Sequence, residues 1–188
     1  MTMIATRTAT FIVAALIASV PDATSAPSGP PLPIELASLI QSTTPGATVV
    51  QPEEIDSESC QPVPSGPSIV HGDLTGNHRN DFAILLKTKV TGKPEVWQGK
   101  TITQAQFALM LYSDDGHGSY GARRLNEFTD SLPLAVYIAL DPPGKKHDQS
   151  TGHDVTTDHP TVSIVFCEKS EIAYYIKGDK VTEIGVSD

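Results

Sequence analysis

The chain lacks an apolar run long enough to cross a bilayer. The apolar run from Ala9 to Val20 holds about twelve residues, whereas a transmembrane helix needs roughly twenty. Arg7 precedes this run and small residues follow it, which is the layout of a cleavable secretory signal peptide. We therefore predict a signal peptide over residues 1–25, with cleavage after Ser25 or after Ala26, and no membrane anchor after cleavage.

Cysteine is scarce, since only Cys60 and Cys167 are present. There is no CxxC spacing and no Cys-His motif, which disfavours a metal-binding pair or a catalytic thiol. In the oxidising compartment that an exported protein reaches, an even number of cysteines favours pairing. We predict one disulfide, which would close a loop of about 107 residues and contribute about 4–5 kcal/mol in the chain-entropy model.

Positive charge is also scarce, because 13 Lys and Arg residues stand against 22 Asp and Glu residues and the net charge is −9. Removal of the predicted signal peptide deletes Arg7 and Asp22, so the net charge does not change. A nucleic-acid-binding surface needs clustered Lys and Arg, so we predict no nucleic-acid partner. The acidity favours solubility and would suit a cationic protein partner, whose identity the sequence does not reveal.

One short helix is predicted near the start of the mature chain. Residues 26–33 are rich in proline, lack an apolar period and indicate an extended arm. Apolar residues then recur from Ile34 to Ile40, behind Pro33 at a position that the first helical turn tolerates. Residues 34–188 are enough for a single domain.

Short apolar segments separated by turn residues dominate this domain. The runs Phe82–Leu86 and Phe107–Tyr112 are continuously apolar and too short for a helix, which indicates buried strands. Further strands are predicted at residues 120–128, 134–140, 161–166, 171–176 and 181–186. Because no helical segment separates these strands, the sequence predicts a mainly β, or α+β, fold with an antiparallel meander sheet.

One segment, the Asp loop (residues 72–81), carries a pattern with a known chemistry. Side-chain oxygens lie at alternate positions of the loop, on Asp73, Thr75, Asn77 and Asp81. Position 79 is the one gap in this alternation, and the backbone carbonyl of Arg79 could supply an oxygen there. Alternate positions in a tight loop point inward together, and Ca²⁺ takes six to eight oxygen ligands. The Asp loop is therefore a weak candidate for a calcium site.

The Asp loop and the strand after it resemble a known family of repeats. Residues 72–86 are similar to the calcium loop and following strand of FG-GAP/VCBS-type repeats, usually written GDxNGDGxxDxxV. More broadly, the chain resembles small exported bacterial proteins of uncharacterised function that carry one such loop, an apolar strand and a C-terminal hairpin like residues 165–176. The resemblance implies calcium as the one candidate cofactor and implies no enzymatic activity.

Three positions of the Asp loop depart from the family pattern. Thr75 and Asn77 replace stronger ligands, and His78 stands where the pattern has a glycine that eases a left-handed backbone. Fewer carboxylates weaken calcium binding. We therefore favour a loop in which Asp73, Thr75 and Asn77 hydrogen-bond backbone amides and hold the turn, with calcium as the alternative.

A polar segment near the C-terminus is rich in histidine and aspartate. Within residues 147–159, three histidines stand six residues apart, each beside an aspartate: His147, His153 and His159. Imidazole suits transition metals, so a metal-dependent enzyme with Asp154 or Asp158 as the base is one reading. The spacing does not match a helix face or an ordinary zinc site, which favours a solvated insertion between strands.

Two further features have competing interpretations. Residues 116–121 superficially resemble a hydrolase nucleophile turn, but Gly118 directly precedes Ser119 and a strand follows, so a hairpin turn is predicted. Trp97 lies in the polar stretch between two predicted strands. We predict that Trp97 caps the core, and the alternative is an exposed aromatic that anchors a contact.

Together these observations favour an exported, non-enzymatic binding or interaction protein of unknown partner, with the periplasm favoured over the extracellular space. An inhibitor or immunity protein against a secreted toxin or hydrolase fits the size, the charge and the compartment. The alternatives are a calcium-stabilised structural domain and a metal-dependent enzyme that uses residues 147–159.

Overall fold

The computed structural model of the protein describes residues 32–61 and 66–186. The predicted signal peptide and nearly all of the predicted arm over residues 26–33 therefore lie outside the described residues.

The predicted N-terminal helix is present as α1, Ile34–Thr43. Leu36 and Ile40 are buried and lie one turn apart, because residues four positions apart share a helix face. The helix ends at Thr43, two residues before the Pro45-Gly46 pair that predicted its end. No helix of the described residues is long and apolar enough to span a membrane.

Antiparallel strands make up most of the molecule, which confirms the predicted mainly β class. Six strands form the first sheet: β1 (Thr48–Val49), β2 (Ile69–Gly72), β3 (Asp81–Val90), β4 (Glu95–Trp97), β5 (Lys100–Asp114) and β6 (Tyr120–Leu132). Strand β3 pairs with β1 and β2 along one edge and with β5 along the other, and β6 pairs with the far edge of β5. Strand β4 continues the line of β3 along the start of β5.

The remaining six strands follow in the chain: β7 (Val136–Asp141), β8 (Gly144–Asp148), β9 (His153–Thr157), β10 (Thr161–Phe166), β11 (Ser170–Lys177) and β12 (Lys180–Val186). Four of these form a second antiparallel sheet in the order β12-β11-β10-β7. Strands β8 and β9 pair only with each other within the described residues. The solvated insertion expected between β7 and β10 is thus a regular hairpin, whose two polar strands carry no apolar signal in the sequence.

Burial on both faces explains the continuous apolar runs of β3 and β5. In β3, Ala83 and Leu85 join the main core between the two sheets, whereas Phe82, Ile84 and Leu86 pack with helix α1. A strand that is covered on both faces has no need to alternate apolar and polar residues. The first sheet is therefore the central layer of the fold, with α1 on one side and the second sheet on the other.

The two cysteines connect distant parts of this architecture. Cys60, in the segment before β2, and Cys167, directly after β10, form a disulfide with their Cα atoms 5.2 Å apart. Both residues are buried in the main core. The structure therefore brings together the pair that the sequence predicted.

Candidate functional site

The Asp loop is organised around the carboxylate of Asp81, which begins β3 and is fully buried. Its Oδ2 accepts hydrogen bonds from the backbone amides of Leu74 and Thr75 and from the Thr75 hydroxyl, at 2.8–3.1 Å. Its Oδ1 accepts the amide of Asp114, from the end of β5, at 2.9 Å. Four donors are thus directed at this carboxylate, which joins the loop to the neighbouring strand.

Asn77 and Arg79 also hold the turn. The Asn77 Oδ1 accepts the Arg79 amide at 2.9 Å, which is the local bond by which asparagine commonly mimics a backbone turn. The Arg79 guanidinium reaches across to the carbonyl of Asp114 at 3.2 Å. Of the three side chains expected to hydrogen-bond backbone amides, only Asn77 does so, because the Thr75 hydroxyl donates to the Asp81 carboxylate instead. Most of the amide bonds in the loop are accepted by Asp81.

Asp73 is the exception among the candidate calcium ligands. Its Oδ1 is buried without a hydrogen-bond partner among the described residues, and its Oδ2 lies 3.3 Å from the Nδ1 of the exposed His78. His78 itself has a backbone φ of +62°, so the residue that replaces the family's glycine does occupy a left-handed conformation.

The Asp loop also packs against the second sheet through Gly76 and His159. The backbone of Gly76 has φ +73°, and a Cβ there would lie 2.7 Å from the His159 Nδ1. The buried His159 ring lies between two acceptors, the Asp158 carboxylate at 2.7 Å and the Ile176 carbonyl at 2.6 Å. This histidine therefore serves as a packing and hydrogen-bonding contact between the loop and β11.

A cavity of about 300 Å³ opens beside the Asp loop. It is lined by Thr75 and Asn77 of the loop, Asp114 and Asp115 at the end of β5, Arg123 of β6 and Asp179 of the turn after β11. Arg123 donates to the carbonyl and carboxylate of Asp179 at 3.1 and 3.3 Å. Hydrogen bonds from the amides of His117 and Ser119 hold the pKa of the Asp115 carboxyl below its usual value, although partial desolvation opposes them. Leu111 and Ile176 also line the cavity, so its walls combine acidic, basic and apolar side chains.

The structure does not bring the three histidines of residues 147–159 together. His147 pairs with Asp154 across the β8–β9 hairpin at 2.9 Å, whereas His153 is exposed and His159 is turned to β11. Within the described part of the chain, no group of three or more His, Cys, Asp or Glu side chains is arranged to hold a metal ion.

The aspartates beside these histidines have their own partners. Hydrogen bonds from Lys177, Tyr175 and His159 lower the pKa of Asp158 well below its usual range. Hydrogen bonds from the Lys145 ammonium and the His147 ring also lower the pKa of Asp154. Both carboxylates are therefore weaker bases than an ordinary aspartate, which makes them poor general bases.

Asp148, at the end of β8, anchors the hairpin to the second sheet. Its carboxylate accepts hydrogen bonds from Ser150 and Thr151 in the hairpin turn and from the amide of Gly185 in β12. These hydrogen bonds lower the pKa of Asp148 to about 2, and the bonds from the Ser150 and Thr151 hydroxyls contribute most to the shift. The hairpin thereby covers part of an edge strand, and covered edges resist unwanted pairing.

The prediction that Trp97 caps the core is wrong. Trp97 is 60% exposed and closes a two-residue turn between β4 and β5, with its neighbour Val96 at 76% and Val90, at the end of β3, at 53%. We call residues 87–102 the Trp97 hairpin. Its turn, Gln98-Gly99, has positive φ at both positions, as type I′ hairpin turns require.

Sequence reasoning missed the Trp97 hairpin because β4 has only three residues. A usable signal was present, since Gln98-Gly99 is a two-residue turn candidate between Val96-Trp97 and the start of a long strand. The turn at residues 115–119, by contrast, is confirmed, since β5 ends at Asp114 and β6 begins at Tyr120.

A comparison of the chain with protein-family models, curated proteins and solved structures finds no match. The likeness to FG-GAP/VCBS-type repeats therefore depends on the residues of the Asp loop and the strand after it.

Proposed function

We propose that this chain is an exported, non-enzymatic interaction protein that contacts its partner through the Trp97 hairpin. The exposure of Trp97 at the tip of that hairpin is the observation that carries the proposal. Of the five large apolar side chains that are exposed in the described residues, three lie in this one hairpin: Val90, Val96 and Trp97. Apolar residues scattered singly on a surface are ordinary, but a local concentration favours a contact site.

The hairpin has the properties of a contact anchor. Tryptophan is enriched among the residues that dominate binding energy, because a large rigid ring gains much from burial and loses little entropy. The Cys60–Cys167 disulfide hints at an oxidising compartment, and we place the protein in the periplasm. An inhibitor or immunity protein is the class that best combines a small acidic domain with a projecting contact element.

A capture experiment with a matched variant tests this proposal. The mature chain and its Trp97→Ala variant are immobilised and exposed to periplasmic extract at several ionic strengths. We expect the unmodified chain to retain a protein that the variant loses, while Leu140→Ala, which removes an exposed apolar side chain outside the hairpin, retains it. Equal retention by all three chains, or retention of nothing above background, would contradict the proposal.

Calcium binding by the Asp loop is a second candidate, favoured by one observation. The Asp73 Oδ1 is buried without a hydrogen-bond partner among the described residues, and such an atom is costly unless a cation or a water satisfies it. In this proposal a Ca²⁺ ion stabilises the loop between β2 and β3. Millimolar Ca²⁺ should then raise the melting temperature, and Asp73→Asn should abolish the rise; an identical transition with and without Ca²⁺ excludes this role.

A further inference from the structure

We propose that the Trp97 hairpin enters a cleft of a partner protein, and that this cleft has apolar walls and an acidic rim. The inference rests on the proposed function and adds the shape and charge of the surface that the hairpin meets.

Apolar side chains on both faces of the hairpin indicate a cleft. The register places Val96 beside Thr101 and Val90 beside Ala105, so these two valines share one face. Trp97 lies opposite Lys100 and therefore projects from the other face, because successive residues alternate across a strand. A flat partner surface could cover only one of the two faces, whereas a cleft covers both.

The hairpin is held in place before binding. Lys87 of β3 forms an ion pair with Glu54, and the Nζ of Lys100, the first residue of β5, lies 2.6 Å from Glu58. The base of the hairpin on β3 and the start of β5 are therefore both tied to the segment that carries Cys60. The type I′ turn fixes the tip. A preorganised element loses little conformational entropy on insertion.

The edge of the hairpin is protected against pairing with a partner strand. Lys89, Lys93 and Pro94 lie along the edge, and the pairing with β5 shifts register between Lys87 and Lys89. Lysine, proline and bulges are the devices by which proteins block edge-to-edge pairing. Contact through side chains in a cleft is therefore favoured over addition of a strand.

The charge of the hairpin is opposite to that of the rest of the chain. Residues 87–102 contain four lysines and one glutamate, a formal charge of +3 in a chain of net charge −9. Lys89 and Lys93 are exposed and have no ion pair with any described residue, despite the excess of carboxylates elsewhere. These two unpaired cations complement an acidic rim, and the acidic body outside the hairpin suits a cationic surface farther from the cleft, beyond that rim.

Site-specific photo-crosslinking tests the shape of the partner surface. A benzophenone amino acid replaces Val96, Trp97 or, as a control, the exposed Glu183 of β12, and crosslinked peptides are identified by mass spectrometry after exposure to periplasmic extract. We expect positions 96 and 97 to react with the same protein, at sites on opposing walls of one cleft. Crosslinks from one of these positions alone, crosslinks to lipid, or sites on a flat surface would overturn the inference.

Charge reversal tests the acidic rim. The double variant Lys89→Glu/Lys93→Glu should bind the captured partner about tenfold more weakly, with a reduced dependence on salt. The matched control reverses Lys169 and Lys180, two exposed lysines outside the hairpin that also have no ion pair with any described residue. If the two double variants weakened binding of the captured partner equally, the inference of an acidic rim would be wrong. If photo-crosslinking from neither position 96 nor position 97 captured any protein, that result would instead contradict the proposed function itself.

Discussion

At residue scale, the Asp loop contains a histidine in a backbone conformation that favours glycine. His78 has φ +62°, and its side chain is 95% exposed with one ion pair, to Asp73. An exposed ion pair contributes little, whereas a left-handed non-glycine residue costs roughly 1–2 kcal/mol. The loop therefore keeps its turn despite a local strain that its hydrogen bonds to Asp81 must offset.

Replacing this histidine should stabilise the protein. We expect His78→Gly to raise the free energy of unfolding by about 1 kcal/mol, because glycine adopts positive φ without a steric penalty. Urea denaturation of the purified protein measures the change. His117→Gly, at another exposed histidine whose φ is not positive, is the control and should not stabilise. An equal response of the two variants would refute the strain at position 78.

The contact between Gly76 and His159 gives a second residue-scale prediction. Gly152→Ala, at φ +71° and in open space, should cost about 1–2 kcal/mol for the backbone alone. Gly76→Ala has nearly the same φ but also forces a methyl group against the imidazole ring, so it should cost more. In a His159→Ala background the excess should disappear, which a double-mutant cycle by urea denaturation measures. An excess that persists without the ring would show that the contact is not its cause.

At the scale of elements, the clearest strand signals in the sequence came from β3 and β5, which have apolar side chains on two covered faces. Strand β3 alternates between the main core and helix α1 and still reads as one apolar run, as does the centre of β5. Strand β4 has only three residues, and the short strands β8 and β9 are mostly polar, so no apolar run marked any of the three. Their formation depends on turns and on Asp148, which local hydrophobicity does not report.

The candidate site was likewise predictable from the sequence only in part. The types and spacing of Asp73, Thr75, Asn77 and Asp81 predicted a tight turn, because short polar side chains bond to nearby backbone amides. The packing of His159 against the loop was not predictable, since the two segments are distant in sequence and meet only when the sheets stack. The exposure of Trp97 was also missed, because tryptophan is buried more often than not.

The anchor of the β8–β9 hairpin should make stability depend on pH. The folded-state pKa of Asp148 is about 2 against an ordinary 3.8, so its carboxylate stabilises the fold above about pH 4. This stabilisation is lost as the pH falls from 3.8 towards 2. We expect Asp148→Asn to be less stable at neutral pH and to show a smaller decline through this window, measured by urea denaturation at each pH.

A control separates this anchor from acid denaturation in general. Glu183→Gln removes an exposed carboxylate from β12, the strand that Asp148 contacts through Gly185. This variant should follow the unmodified chain through acidic pH. If the free energy of unfolding of Asp148→Asn declined between pH 4 and 2 as steeply as that of the unmodified chain and of Glu183→Gln, the hydrogen bonds of Asp148 would not contribute to the pH dependence.

At the scale of the whole molecule, the disulfide links two segments that are far apart in the chain. It joins the segment before β2 to the second sheet and closes a loop of 107 residues, so it restricts most of the unfolded chain. It also fixes the segment whose Glu54 and Glu58 form ion pairs with the Trp97 hairpin. Stability and the position of the contact element are therefore coupled through one covalent bond.

Removing this bond should lower the stability of the entire domain. The double variant Cys60→Ala/Cys167→Ala should lose about 4–5 kcal/mol in the chain-entropy model, because its unfolded state gains the freedom that the loop withholds. Thermal and urea denaturation with and without a reductant measure the loss. The reductant should destabilise the unmodified chain towards the level of the variant and leave the variant unchanged.

Since Trp97 is the only tryptophan, its fluorescence reports the hairpin separately, and its solvent-exposed emission should change little on unfolding. A large red shift on unfolding would instead place the ring in the core, and would remove the exposed anchor on which the proposed function depends.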